Sequence, residues 1–373
     1  MLNTQPFFSI ILPTRNNANY LSGAIATVVN QDFDDYELIV SNNFSDDNTE
    51  EVALSFDSNK IKYVKTDKTL YYDDSWNYAL SHATGKYILM IGDDDGVMKD
   101  GLKKLKSEII KQNYPDLISQ PIVRYFIDDN NITFNQIEYT EAKNAKDGFE
   151  LSLKGINIGI AVLHIIFKRE NLKESLYSKP YPDYTGMLKF LFWSDSIYYS
   201  DTYAVIHGHT KKSAGGVFAL TDIEKLRKIS LEQQGMKGNV PLDLYFFSNG
   251  YYASMRTALK ELNLDRDIDW FRYFSAYHGG LLSMKEQNDI SDELKLFYEA
   301  LSKQPLKVQF KTRLWIFLRC GKRVLKKLIT RNKSIPSNSS ISGEAYGIKN
   351  ILDLSQKLDD GLISKIKKDI EKQ

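Results

Sequence analysis

The chain has 373 residues, 42% of them hydrophobic and 26% charged, with a formal net charge of +1. That is apolar material enough for more than one structural unit. It excludes wholesale disorder and a whole-protein attraction to nucleic acid. The single cysteine, Cys320, excludes an internal disulfide and a multi-cysteine zinc site.

The first hundred residues alternate strand and helix signals. Phe7–Leu12 is a β-rich run stopped by Pro13, and Asn19–Asn30 carries Leu21, Ile25, Val28 and Val29 on one helical side. Tyr36–Ser41 predicts a second strand, Thr49–Phe56 a short helix and Ile61–Val64 a third strand. Asp73–Ser81 is helical, with Trp76 and Leu80 at i,i+4 spacing. Tyr87–Ile91 is apolar without alternation, the pattern of a strand buried on both faces, and Lys99–Gln112 is an amphipathic helix. This order predicts a largely parallel sheet with helices on both faces.

The central strand runs into Gly92, Asp93, Asp94, Asp95 and Gly96. Adjacent carboxylates repel one another and attract a cation; taken alone, the triplet is equally readable as a solvated acidic turn, because Asp-Gly is a common turn dipeptide. Polar residues also follow the first strand (Pro13, Thr14, Arg15, Asn16) and the second (Asn42, Asn43, Ser45, Asp46). Loops at one sheet edge build a shared ligand pocket. No glycine-rich dinucleotide fingerprint or phosphate loop occupies the first βα turn, which argues against those nucleotide-binding classes.

Asp116–Gln120 predicts another strand, Arg124–Tyr139 a hairpin around Asp128–Asn131, and Ala145–Lys154 a short helix. Ile158–Phe167 is expected to be a buried strand in which His164 packs in the core. Asp183 precedes a helix expected over Thr185–Trp193, where it serves as a cap, as an ionised group in the helix field, or both. Ser196–Ile206 is β-like and leads to His207, His209, Lys211 and Lys212. Helical patterns follow at Asp222–Gln233, Leu242–Leu262 and Asp292–Ser302. Lys303–Lys333 contains no acidic residue, and Lys311–Ile329 sorts Leu314, Phe317, Leu318, Val324, Leu325 and Leu328 from Arg319, Lys322, Arg323, Lys326 and Lys327. That pattern suits a helix lying in a membrane interface or one packed on the core with a basic solvent face. Ile335–Gly347 is expected to be a polar linker before a last helix, Asn350–Lys368. Three units are expected: 1–220 catalytic, 221–333 helical with the basic segment, and 334–373 linker and terminal helix.

The ordered set Ile10-Ile11-Leu12-Pro13-Thr14-Arg15-Asn16, Gln31-Asp32-Phe33, Glu37 to Asp46, Asn77 before Ala79, and Gly85-Lys86-Tyr87-Ile88 leading into Asp93-Asp94-Asp95 resembles the GT-A glycosyltransferases, specifically the large family 2 of inverting enzymes. The resemblance implies a Rossmann-like α/β fold, a mixed and mostly parallel sheet flanked by helices, here with a C-terminal helical extension. It implies a nucleotide-diphosphate sugar held near Pro13, Thr14, Arg15, Asn43, Asn77 and Asp93, and Mg²⁺ or Mn²⁺ on Asp94. It further implies an acceptor base, for which Asp183 is the candidate and Asp195 the alternative, and a late loop in which His209 completes the metal shell and Lys211 contacts phosphate. The same loop residues are also readable as solvated. Two departures stand out: Asn42-Asn43 replaces a frequent aspartate pair, and Gly92 replaces a frequent first aspartate of the metal motif.

The function expected is metal-dependent sugar transfer to a glycan or lipid-linked glycan in bacterial surface polysaccharide synthesis. A nucleotidyltransferase and a non-catalytic glycan-binding scaffold are the alternatives. Met1–Pro6 lacks the basic leader and apolar core of a signal peptide, and no uncharged apolar run approaches the roughly 20 residues that span a bilayer. A cytoplasmic location is expected, with contact to an anionic membrane surface through the basic segment and no nucleic-acid partner.

Overall fold

A computed structural model of the chain describes residues 5–134, 140–153, 158–159, 165–178, 182–210, 257–264, 304–329 and 340–371, and the single positions 255, 298, 301 and 302. The N-terminal half follows the expected alternation: β1 (Phe8–Thr14), α1 (Ala18–Val29), β2 (Tyr36–Asn42), α2 (Thr49–Leu54), β3 (Ile61–Lys65), α3 (Tyr72–Ser81) and β4 (Tyr87–Met90). Then come β5 (Gly96–Val97), α4 (Gly101–Lys111), β6 (Leu117–Ser119), β7 (Ile122–Phe126), β8 (Asn131–Phe134), α5 (Ala145–Leu153) and β9 (Ile166–Lys168). The rest comprises α6 (Pro182–Trp193), β10 (Ile197–Tyr199), β11 (Val205–His209), α7 (Leu306–Ile329), β12 (Ile341–Ser342), α8 (Ile351–Lys357) and α9 (Asp360–Glu371).

Among the described residues, the larger sheet has seven strands in the order β10-β6-β9-β4-β1-β2-β3, parallel except at β9, which runs antiparallel to β4 and β6. Every side chain of β1 is buried, and the two pleat faces divide between two cores. Ile10 and Leu12 pack with Leu21, Ile25, Val28, Leu102 and Leu105 beneath α1 and α4; Ile11 packs with Trp76, Leu80, Leu188 and Leu191 beneath α3 and α6. Burying each such aliphatic side chain stabilises the fold by about 1.5–3 kcal/mol relative to exposure. The β4 strand therefore needs no polar alternation, and its carboxyl end delivers the acidic turn to one sheet edge.

A second, smaller sheet has the order β12-β8-β7-β11-β5. Here the sequence expectation needs correction. The stretch read as a polar linker contains β12, which pairs with β8, and a 3-10 turn over Gly343–Tyr346. Ile348, Ile351, Leu354, Ile363 and Ile366 then share a core with Val123, Tyr125, Ile132 and Ile206. The apolar periodicity of the terminal helix turns it inward onto the small sheet. Of the strand expected over Ile158–Phe167, the described part forms at Ile166–Lys168, while His164 lies outside the described residues, as does the helix expected at Asp222–Gln233; of those expected at Leu242–Leu262 and Asp292–Ser302, only residues 255, 257–262, 298, 301 and 302 are described, helical but for 262.

Candidate active site

The carboxyl ends of β1, β2 and β4 meet at one sheet edge, and each brings polar side chains. Thr14, the last residue of β1, donates its hydroxyl to Asp93 Oδ2 at 2.7 Å, and Asn17 donates its side-chain amide to Asp93 Oδ1 at 2.6 Å. Burial pushes the Asp93 carboxyl up to about 6, and the repulsion of Asp95 adds to this, against the lowering by bonds from Thr14, Asn17 and the Arg15 backbone. Pro13 is buried within β1, whereas the Arg15 side chain is exposed at the rim.

Asp95 is 1% exposed and acts as the internal brace of the turn. Its Oδ2 accepts from Gly92 N at 2.6 Å and its Oδ1 from Gly208 N, on β11, at 2.9 Å. A Cβ at Gly92 would meet Asp94 Oδ1 at 3.0 Å and Asp95 Oδ2 at 3.1 Å, so glycine lets both carboxylates fold back over the turn. Gly208 is tighter: a Cβ there would sit 1.7 Å from the Asp94 carbonyl oxygen. The structure thus places β11 directly against the acidic turn at Gly208. The His209 ring stacks between Phe126 (5.0 Å between centroids) and His207 (4.3 Å).

Asp94 remains partly open and offers hard oxygen ligands at the turn. Among the described residues, no group of three or more His, Cys, Asp or Glu side chains is arranged to hold a metal ion. This donor set suits Mg²⁺ or Mn²⁺ that takes its remaining ligands from phosphate and water, and it does not suit a structural zinc. Lys211 lies outside the described residues.

Two asparagines expected near the donor bind peptide groups instead. Asn43, 6% exposed, donates its amide to Leu70 O at 3.0 Å and accepts from Leu70 N at 2.8 Å. Asn77 donates to Tyr177 O at 2.7 Å and accepts from Tyr177 N at 3.0 Å. Each copies the two-point pairing of a strand. Together they fix the segment that leads into α3 and tie α3 to the chain before α6.

Helix α6 starts at Pro182, three residues earlier than the sequence suggested. Proline at the first helical position gives up no intrahelical bond there. Asp183 lies in that first turn, partly exposed. Burial first, and then the charge of Asp183, push the pKa values of the Tyr72, Tyr177 and Tyr184 phenols up, and Tyr72 also feels Asp95 and Asp93. The Tyr177 hydroxyl donates to Met90 Sδ, the last residue of β4, at 2.5 Å, and Ser178 N donates to Thr185 Oγ1 at 3.0 Å, which ties the first turn of α6 to the end of β4 that carries the acidic turn. Asp195 lies elsewhere. Its backbone N–H donates to Asp116 Oδ2 at 2.9 Å just before β10, at the sheet edge opposite the acidic turn. Sequence reasoning missed Tyr72, although the Tyr72–Trp76 pair has the i,i+4 spacing that places two rings on one helix face.

Residues 9–175 match the family model described as Glycosyl transferase family 2. The chain is 29% identical over 136 residues to a UDP-Glc:α-D-GlcNAc-diphosphoundecaprenol β-1,3-glucosyltransferase of Escherichia coli, covering 35% of this chain and 54% of that protein. It is 35% identical over 103 residues to a GalNAc(5)-diNAcBac-PP-undecaprenol β-1,3-glucosyltransferase of Campylobacter jejuni, covering 27% of this chain and 33% of that protein. The chain thus spans about half and about a third of the length of these two curated relatives. The crystal structure of S. aureus TarS 1–349 in complex with UDP is similar with a TM-score of 0.46 and 16% identity, over 89% of this chain and 95% of that one.

Proposed function

We propose that the chain, whose residues 9–175 match the family 2 glycosyltransferase model, is a GT-A glycosyltransferase that transfers a sugar from a nucleotide-diphosphate donor to a glycan carried on a lipid diphosphate. The observation that carries this reading is the meeting of the acidic turn, Thr14 and β11 at one sheet edge. The acceptor class is supported by the two relatives described above, both of which act on undecaprenol-linked saccharides.

In this reading the acceptor hydroxyl oxygen attacks the anomeric carbon, the carbon–oxygen bond to the diphosphate breaks, and Asp183 takes the hydroxyl proton as general base. Attack opposite the leaving group inverts the anomeric centre. Thr14 and Asn17 hold Asp93 against the donor, and Asp95 keeps the turn in shape. Asp94, with His209, would hold Mg²⁺ or Mn²⁺, which would supply charge neutralisation for the leaving diphosphate. Asn43 and Asn77 serve the donor site by fixing the chain around it, and Lys211 is proposed as a phosphate contact.

We also place α7 on an anionic membrane surface. Leu306, Phe310, Leu314, Phe317 and Leu318 recur at helical spacing and are exposed, beside exposed Lys307, Lys311 and Arg313. An apolar stripe with basic flanks binds in the plane of a bilayer. Among the described residues no helix is long and apolar enough to cross one.

The test is a screen of nucleotide sugars with Mg²⁺ or Mn²⁺ and an alkyl-diphosphate GlcNAc acceptor, read by mass. A product heavier by one glycosyl residue, with nucleoside diphosphate released, is expected. Release of pyrophosphate with a nucleotide conjugate would instead identify a nucleotidyltransferase, and glycan binding without turnover would identify a scaffold.

A further inference from the structure

Tyr72 is the first residue of α3 and is held from both sides. Two residues upstream, the Leu70 peptide is clamped by Asn43; five residues downstream, Asn77 clamps the Tyr177 peptide. Within this frame its ring packs on Trp76 at 4.5 Å between centroids, and Trp76 meets Tyr177 edge-on at 5.1 Å. Trp76 and Tyr177 are 6% and 2% exposed, so they form the backing, while Tyr72 keeps a partly open surface. An aromatic ring fixed by two buried rings is a rigid platform that loses little conformational freedom when a ligand covers it.

Its location gives the platform a role. Its backing ring Tyr177 reaches both halves of the site: the Tyr177 hydroxyl donates to Met90 Sδ, at the end of the strand that leads into the donor turn, at 2.5 Å, and the next residue, Ser178, donates its N–H at 3.0 Å to Thr185 Oγ1, two residues after Asp183 on α6. The donor turn and the proposed acceptor base are thus tied to the one aromatic stack that supports Tyr72.

We infer that Tyr72 is a specificity-determining residue that receives the acceptor: its ring takes the C–H face of a pyranose and holds the attacking hydroxyl between Asp183 and the donor. The ligand class is a saccharide with an apolar pyranose face, in preference to a bare lipid phosphate or a small alcohol. Desolvating a sugar's C–H face against an aromatic ring is favourable, while the sugar's equatorial hydroxyls stay in water. This inference rests on the glycosyl-transfer reading above.

The experiment uses the full chain with UDP-glucose, Mn²⁺ and an alkyl-diphosphate GlcNAc acceptor. It compares Tyr72→Phe, Tyr72→Leu and Tyr72→Ala with wild type. Two rates are followed: transfer to the acceptor and hydrolysis of the donor by water, which needs no saccharide platform. We expect Tyr72→Ala and Tyr72→Leu to raise the acceptor KM at least tenfold, with donor KM and hydrolysis within about twofold of wild type. Tyr72→Phe, which keeps the ring, should stay within about threefold in acceptor KM. An unchanged acceptor KM in the folded Leu or Ala variant overturns the inference, as does a parallel loss of transfer and hydrolysis. A wild-type protein that neither transfers nor hydrolyses any nucleotide sugar overturns the functional reading itself, and the inference with it.

Discussion

Asn77 and Tyr177, 100 residues apart, are joined by two hydrogen bonds between one side-chain amide and one peptide unit. This single contact ties the helix beneath the donor edge to the segment that ends in Asp183. Because the Tyr177 peptide belongs to a residue only 2% exposed, losing its partner strands polar groups away from water. Asn77→Ala should therefore destabilise the protein by about 1–3 kcal/mol, read as a lower urea midpoint. Asn77→Asp, which keeps the acceptor and loses the donor, should fall between the two. Equal midpoints for Asn77→Ala and wild type would show that the clamp contributes nothing.

A second prediction concerns acid stability. Asp116 accepts from Asp195 N, Ser196 N and Ser196 Oγ, and pairs with Lys168 at 3.0 Å. These partners outweigh the effect of burial and hold its carboxyl down, at about 2. A carboxyl whose folded value lies below its unfolded one contributes stability above the unfolded value and loses it as pH falls through the folded one. The Asp116 contribution should thus be fully present above about pH 4 and fade towards pH 2, with a size of about 2 kcal/mol. Asp116→Asn should be less stable than wild type at pH 7, and the gap in thermal midpoint should close on acidification between those limits. A gap that stays constant with pH would assign the loss to packing.

Gly208 makes a steric prediction. With a Cβ only 1.7 Å from the Asp94 carbonyl, Gly208→Ala must push β11 away from the acidic turn and stretch the bond from Gly208 N to Asp95. Displacing a packed strand costs on the order of 1–3 kcal/mol. Donor binding with Mn²⁺, measured by calorimetry, should weaken at least tenfold in any variant that still folds. Wild-type affinity in a folded Gly208→Ala protein would show that β11 need not touch the turn.

For α7, the expected result is flotation with anionic vesicles and less with neutral ones, weakening as salt rises. Replacing Phe310, Phe317 and Leu318 together with serine should abolish flotation without lowering the melting temperature, because all three are more than half exposed. A lower melting temperature with unchanged flotation would mark that face as core.

The parallel half of the fold was legible because β1, β2 and β4 are apolar runs longer than a turn and end in clear breakers. The acidic turn was legible because of the ordered motifs that precede it; the triplet alone reads equally well as a solvated turn. What escaped was short or long-range. The strands β5 and β12 have two residues each, too few for any periodicity, and β12 exists only because β8 offers it an edge. Asn43 and Asn77 were legible as positions but not as roles, since their partners are backbone groups 27 and 100 residues away, which no local pattern encodes. The place of Asp183 in the first turn of α6, and of Asp195 at the other sheet edge, followed only once the direction of α6 and β10 was fixed.

The most direct test of the account is metal-dependent transfer by Asp94→Asn. The substitution keeps the size of the side chain and removes its charge, in a turn held by Asp93 and Asp95. Product formation from a nucleotide sugar and an alkyl-diphosphate GlcNAc should fall by at least a hundredfold at saturating Mn²⁺, with the melting temperature within a few degrees of wild type and Mn²⁺ affinity lost in parallel. Undiminished, metal-dependent transfer by the folded Asp94→Asn protein would contradict the account.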